Sequence, residues 1–100
     1  MNHLIVTICN DGSADEVMEV AKKMGAQGGT ILKARGSAGK DDEKFAGITI
    51  QPGKEVILII VDEVKKNLIM KEISAQLGVG TKQHSITFSL PVDAALGVTI

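Results

Sequence analysis

Few side chains in this sequence have reactive potential. Cys9 is the single cysteine, and His3 and His84 are the two histidines. A thiol nucleophile needs a base within reach and an electropositive setting. Neither histidine stands in a local motif with Cys9, so Cys9 reads as a small buried hydrophobe at the end of a strand. The histidines lack metal-ligand spacing with each other or with Cys9, and one cysteine excludes both an internal disulfide and a multi-cysteine metal knuckle. The stretch "GKDDEK" (Gly39 to Lys44) sets Asp41 beside Asp42. Acid–base carboxylates need a fixed pocket, and a charged loop does not supply one. No nucleophile, base and orienter converge, so the expectation is a protein that is not an enzyme.

Glycines offer a second kind of chemistry, the close approach of backbone to a ligand. "KMGAQGGTILKARG" carries Gly25, Gly28, Gly29 and Gly36. No glycine precedes a Lys-Ser or Lys-Thr pair, so this is not a phosphate loop. It does not open a helix either, as a dinucleotide fingerprint does. Gly25 fits a helix C-cap. Gly28 and Gly29 fit either a turn or a glycine approach to a ligand. Lys82 and His84 lie near the end of the glycine-bearing connection "LGVGTKQH". They fit either a solvated loop or an anion contact.

The elements that must position these residues follow from periodicity. "HLIVTIC" (His3 to Cys9) is a β-branched strand. Ser13 with Glu16 has capping-box spacing, and Ala14, Val17, Met18, Ala21 and Met24 follow at helical intervals. "GGTILKARG" is a second strand, with Thr30, Leu32 and Ala34 on one face and Ile31, Lys33 and Arg35 on the other. Pro52 and Gly53 punctuate the approach to "EVILIIVD" (Glu55 to Asp62), a third strand. Asp62 is a candidate N-cap for a helix over 63–77 whose inner side is assigned Val64, Leu68, Ile69, Ile73 and Leu77. "SITFSL" (Ser85 to Leu90) is a fourth strand, stopped by Pro91.

One hundred residues, 44% apolar and 23% charged, make one globular domain over 1–100. A net charge of -1 leaves no basic footprint for nucleic acid, and Phe45 and Phe88 are too few for base stacking. No apolar run has the length of a membrane span. A cytoplasmic location is the expectation.

The order βαββαβ predicts an α+β, ferredoxin-like sandwich: a four-stranded antiparallel sheet with two helices on one face. A sheet covered on one side should alternate apolar and polar residues. "LIVTI" and "VILIIV" are instead apolar on both faces. The open face needs a cover that one chain cannot provide, so self-association through this face is expected. The other oddity is "KARGSAGKDDEKFAGI" (Lys33 to Ile48), too long for a tight hairpin. Such loops in compact domains are commonly functional, and Lys40 to Phe45 is expected to be mobile.

Three blocks, "GAQGGTILKARG", "FAGITIQPGKEVILIIV" and "ITFSLPVDAALGV", resemble the nitrogen regulatory protein PII family, and most of all a short, divergent PII-like branch. The resemblance spans nearly the whole chain. It implies a homotrimer whose sheets face one another around a three-fold axis. It implies a signal-transduction role, in nitrogen metabolism for the family, with an adenine nucleotide bound between subunits. The 37–53 segment then corresponds to the loop by which family members regulate target proteins, and Lys40, Asp41, Asp42, Glu43, Lys44 and Phe45 become the partner-binding residues. Position by position, the resemblance assigns Gly28, Thr30, Gly36, Ile59 and Gly78 to the ligand site, and Lys82 and His84 join it as the local groups able to offset anionic charge.

The departures are specific. Thr81, Lys82, Gln83 and His84 stand where the family has its Gly-Asp-Gly-Lys phosphate turn. Ser37 and Ala38 replace Phe and Gly, "DAALGVTI" lacks the family's paired arginines, and no tyrosine is present. These changes remove most charge-assisted contacts to a triphosphate, so a monophosphate, a cyclic nucleotide or another small anion fits as well as ATP. The CutA proteins, trimers of similar fold that bind metal, are the alternative.

Overall fold

A computed structural model describes residues 1–37 and 53–100, and the backbone of 43–45 and 48–50. The elements run β1 (Asn2–Asn10), α1 (Ala14–Lys23), β2 (Thr30–Arg35), β3 (Glu43–Phe45), β4 (Ile48–Ile50), β5 (Gly53–Asp62), α2 (Glu63–Leu77) and β6 (Ile86–Val92). The main sheet has the order β2-β5-β1-β6, so β1 and β5 are central. All its pairings are antiparallel, with Ile5 opposite Ile59, Leu32 opposite Val56 and Val6 opposite Phe88. This is the expected ferredoxin-like arrangement, with both helices packed on one face of the sheet.

Period-two alternation sorts the central strands cleanly. Ile5, Thr7 and Cys9 of β1 and Ile57, Ile59 and Val61 of β5 point to the helices and are at most 1% exposed. Val17 and Ala21 of α1 and Ile69 and Ile73 of α2 close this core. The hydroxyl of Thr7 is satisfied by Thr87 Oγ1 at 3.0 Å. The other face carries Leu4, Val6 and Ile8, then Val56, Leu58 and Ile60, all half-buried within the single chain. Leu32 on one edge strand and Ile86, Phe88 and Leu90 on the other extend this face and are 43–54% exposed.

Several boundaries depart from expectation. Asp62 does cap α2, accepting from the Lys65 N–H at 2.9 Å. Val64 and Leu68, assigned to the inner side of α2, are 70% and 49% exposed. The buried stripe is Ile69, Ile73 and Leu77, and Leu68 lies about 100° around the helix from Ile69. Pro91 does not stop the last strand, because β6 is an edge and pairs on one side only. The long segment after β2 contains a two-stranded ladder of its own, pairing Glu43 with Ile50, Lys44 with Thr49 and Phe45 with Ile48. Part of the segment expected to be mobile is therefore strand, while Lys40, Asp41 and Asp42 lie outside the described residues.

The packing of α2 predicts a contrast between neighbours. Ile73→Ala should lower unfolding stability by about 2–5 kcal/mol through the cavity it leaves. Leu68→Ala should change it by about 0.5 kcal/mol or less. Denaturant melts of both variants test the assignment.

Candidate functional site

Two regions carry the residues that the sequence marked, and they lie at opposite ends of β2. The first is an open cleft of about 660 Å³ on the uncovered sheet face. Leu4, Leu58 and Ile60 form its floor, Gln27 to Thr30 form one wall, and Gly97 to Thr99 of the C-terminal tail form the other. Gly28 and Thr30 thus share one cavity. Nothing stands within 4 Å of where a Gly28 Cβ would be, so Gly28 leaves open space there. Of the Gly28–Gly29 pair, Gly29 is the sterically required glycine. A Cβ there would approach Met18 Sδ to 2.9 Å and the Leu58 carbonyl oxygen to 3.0 Å. None of the residues lining the cleft is charged.

The second region is the other end of the sheet, where β2 ends, β5 begins and the 78–85 connection enters β6. Thr30 and Gly36 are six residues apart, roughly 20 Å at strand rise. Gly36 packs near the Lys54 stem, which a Cβ on Gly36 would meet at 3.0 Å. Lys82 and His84 are exposed. His84 has a φ of 48°, uncommon for a non-glycine residue, and its N–H donates to Thr81 Oγ1 at 3.2 Å. Gly78 ends α2, and its carbonyl accepts from both the N–H and the hydroxyl of Thr81.

One assignment changes. The Ile59 side chain is 1% exposed and belongs to the core beneath the helices. It faces away from the cleft because it alternates with Leu58 and Ile60, which form the cleft floor. A single chain therefore gathers Gly28 with Thr30 in one cavity, while Gly36 shares only an end of the sheet with Lys82 and His84, on the opposite edge. Among the described residues, no group of three or more His, Cys, Asp or Glu side chains is arranged to hold a metal ion.

The sequence reading missed a polar cluster at the second region. Ser13 makes no side-chain cap to α1. The cap comes instead from Glu55 of β5, whose Oε1 accepts from the Ala14 N–H at 2.8 Å. Glu55 Oε2 accepts from Lys33 Nζ at 2.6 Å, and Asp11 Oδ1 accepts from the same ammonium at 3.0 Å. Glu16, freed from the capping box, accepts from Gln83 Nε2 at 2.7 Å. The signal was faint: Glu55 is a lone acid opening a six-residue apolar run, and Lys33 stands opposite it in register.

The electrostatics follow from these bonds. The hydrogen bond from Lys33 lowers the Glu55 carboxyl below its ordinary range, and the Ala14 N–H lowers it further, against the opposing effect of burial. Hydrogen bonds to Glu55, then to Asp11, raise Lys33 above the ordinary lysine range. Burial pushes the Cys9 thiol up to about 11, and the Glu55 charge adds to the effect. Cys9 is thus a neutral core residue at ordinary pH, with too little thiolate for nucleophilic work.

Comparison with known proteins agrees with this architecture. No protein-family model and no curated protein matches the chain. A crystal structure from Thermus thermophilus, described as that of a PII-like signaling protein, superposes with a TM-score of 0.67. The match covers 89% of this chain and 83% of the other, at 18% identity. At that identity the shared property is the fold. The chain has a PII-like, ferredoxin-like fold, and none of its described helices is long and apolar enough to cross a membrane.

The glycine pair and the buried acid each give a measurable expectation. Gly29→Ala should cost about 1–3 kcal/mol through overpacking against the Leu58 backbone, whereas Gly28→Ala should be close to neutral in thermal melts. Glu55 has a lowered folded-state pKa, so its contribution is present above its ordinary value of 4.5 and is lost as pH falls below that value. Glu55→Gln should therefore lose about 1–3 kcal/mol at pH 7. The gap to the wild type should narrow in chemical denaturation at successively lower pH below 4.5.

Proposed function

We propose that this protein is a PII-like regulator that assembles as a homotrimer, binds a small anionic ligand between subunits and acts on a protein target through the 37–53 segment. The uncovered apolar sheet face carries the reading. Leu32, Phe88, Leu90 and Ile86 are 43–54% exposed and continuous with half-buried Leu4, Val6, Leu58 and Ile60. Soluble monomers seldom leave such a patch in water. A second copy is its simplest cover, since every copy carries the same apolar surface.

The cleft opens on this same face, so association would turn it into an intersubunit site. Its apolar floor and the Thr30 hydroxyl suit a flat heteroaromatic group such as an adenine base. Its lining is uncharged, so a phosphate would need cations from elsewhere. Lys82, His84 and Arg35 are exposed at the other end of the sheet and meet that need if a neighbouring copy presents them. An adenine nucleotide with few phosphates fits this set best. The regulatory role of the 37–53 segment is supported by its length and by its departure point at the end of β2, the same end of the sheet as Lys82 and His84.

The test has two arms. Sedimentation of the full chain at micromolar concentration should give a trimer, and Phe88→Glu should drive it to monomer. A monomeric wild type removes the reading. Calorimetry with AMP, ADP, ATP and cyclic nucleotides, with inorganic phosphate as control, should find sub-millimolar binding. Lys82→Ala should weaken that binding by about 1–3 kcal/mol, the worth of one charge-assisted contact. A trimer that binds none of these would keep the assembly and reject the nucleotide.

A further inference from the structure

The turn from Asn10 to Ser13, between β1 and α1, touches the 78–85 connection, the start of β5 and the end of β2. The Asn10 side chain bridges two of them. Its Nδ2 donates to the Lys82 carbonyl at 2.8 Å, and its Oδ1 accepts from Lys54 Nζ at 2.8 Å. The Asn10 N–H donates to the Gln83 carbonyl at 2.9 Å. Asp11 holds both strands that flank the 36–52 segment. Its N–H donates to the Gly53 carbonyl at 3.3 Å on β5, and its carboxylate takes Lys33 Nζ at 3.0 Å on β2. Lys33 continues to Glu55, and Glu55 to the first free N–H of α1.

Asn10 has one amide with two ends, and each end is committed. The Lys82 carbonyl and the Lys54 ammonium belong to segments with no direct hydrogen bond between them among the described residues. Asn10 thus links the 78–85 connection to the start of β5, through its side chain and through its ladder pairing with Lys54. Asp11 extends the link to β2 through Lys33. We propose that the Asn10–Asp11 turn is a mechanical relay that couples the 78–85 connection to both strand ends from which residues 36–52 depart. Asn10 and Asp11 act as positioning residues. The relay is built from hydrogen bonds within one chain.

Amide-resolved hydrogen exchange on the full-length protein tests this by disturbing one end and reading the other. Lys54→Met removes the side-chain hydrogen bond from β5 to Asn10 and leaves the ladder pairing of the two residues in place. The Ser85 N–H, bonded to the Leu77 carbonyl, and the Asn10 N–H, bonded to Gln83, should then exchange faster, by up to roughly tenfold if the loss of one hydrogen bond is transmitted. Gln83→Leu disturbs the opposite end and should speed exchange at the Asp11 N–H. Asn10→Ala should give the increase at both ends, and adding Lys54→Met to Asn10→Ala should change nothing further at Ser85. Amides in the centre of β5 should stay unchanged in every variant, which reports that the sheet is folded. If Lys54→Met alters only its immediate neighbours, Asn10 among them, and leaves Ser85 at the wild-type rate, or if its effect adds to that of Asn10→Ala, the relay is refuted.

Discussion

The double apolar character of β1 and β5 is the constraint on which the rest of the structure depends. Two helices cover one face of the sheet, and burial of Ile5, Ile57, Ile59 and Val61 beneath them supplies the core. At about 25 cal/mol per Å² of apolar area, each such side chain contributes about 1.5–3 kcal/mol. The same alternation that places them inward places Leu4, Val6, Leu58 and Ile60 outward. Among the described residues no third layer lies over them, and the cleft opens on this same face.

The opposite end of the sheet is organised by charge. Glu55 is a carboxylate on a central strand, 5% exposed, and it stays there because each oxygen has a partner. Its negative charge lies at the N-terminus of α1, where the helix dipole favours it. Asp15 and Glu16 in the first turn, and Lys22 and Lys23 in the last, complement the same dipole. One acid thus ties β5, β2 and α1 into a unit around the base of the 36–52 segment. That part of the chain resists a purely local account, since its cap, its ion pair and its strand register are one interaction.

The order and type of the two helices and the four strands of the main sheet were legible in the sequence because both rest on local signals, whereas the short β3–β4 ladder was read as loop. Alternation marks strands, the Asp62 cap marks α2, and Gly25 at a φ of 111° ends α1 as a C-cap glycine does. The inner stripe of α2 was less legible. Val64 and Leu68 are as apolar as Ile69 and Ile73, and periodicity cannot choose between overlapping stripes without knowing where the sheet lies. Pro91 was misleading for a similar reason. It forbids a central strand but not an edge, and edge position is a property of topology.

The sequence alone determined the fold class, the two-faced apolar strands and the exceptional length of the segment after β2, since each is written in composition and period. Only the tertiary structure decided which residues meet. Glu55 caps a helix that starts 41 residues earlier in the chain, and Asn10 contacts a carbonyl 72 residues away. Of the Gly28–Gly29 pair, Gly29, with Leu58 and Met18 against it, is the one that space requires, though Gly28 matched the family pattern. Ile59 turned inward by one step of the pleat. Such partners are set by strand register and packing across the sheet, which no window of neighbouring residues encodes.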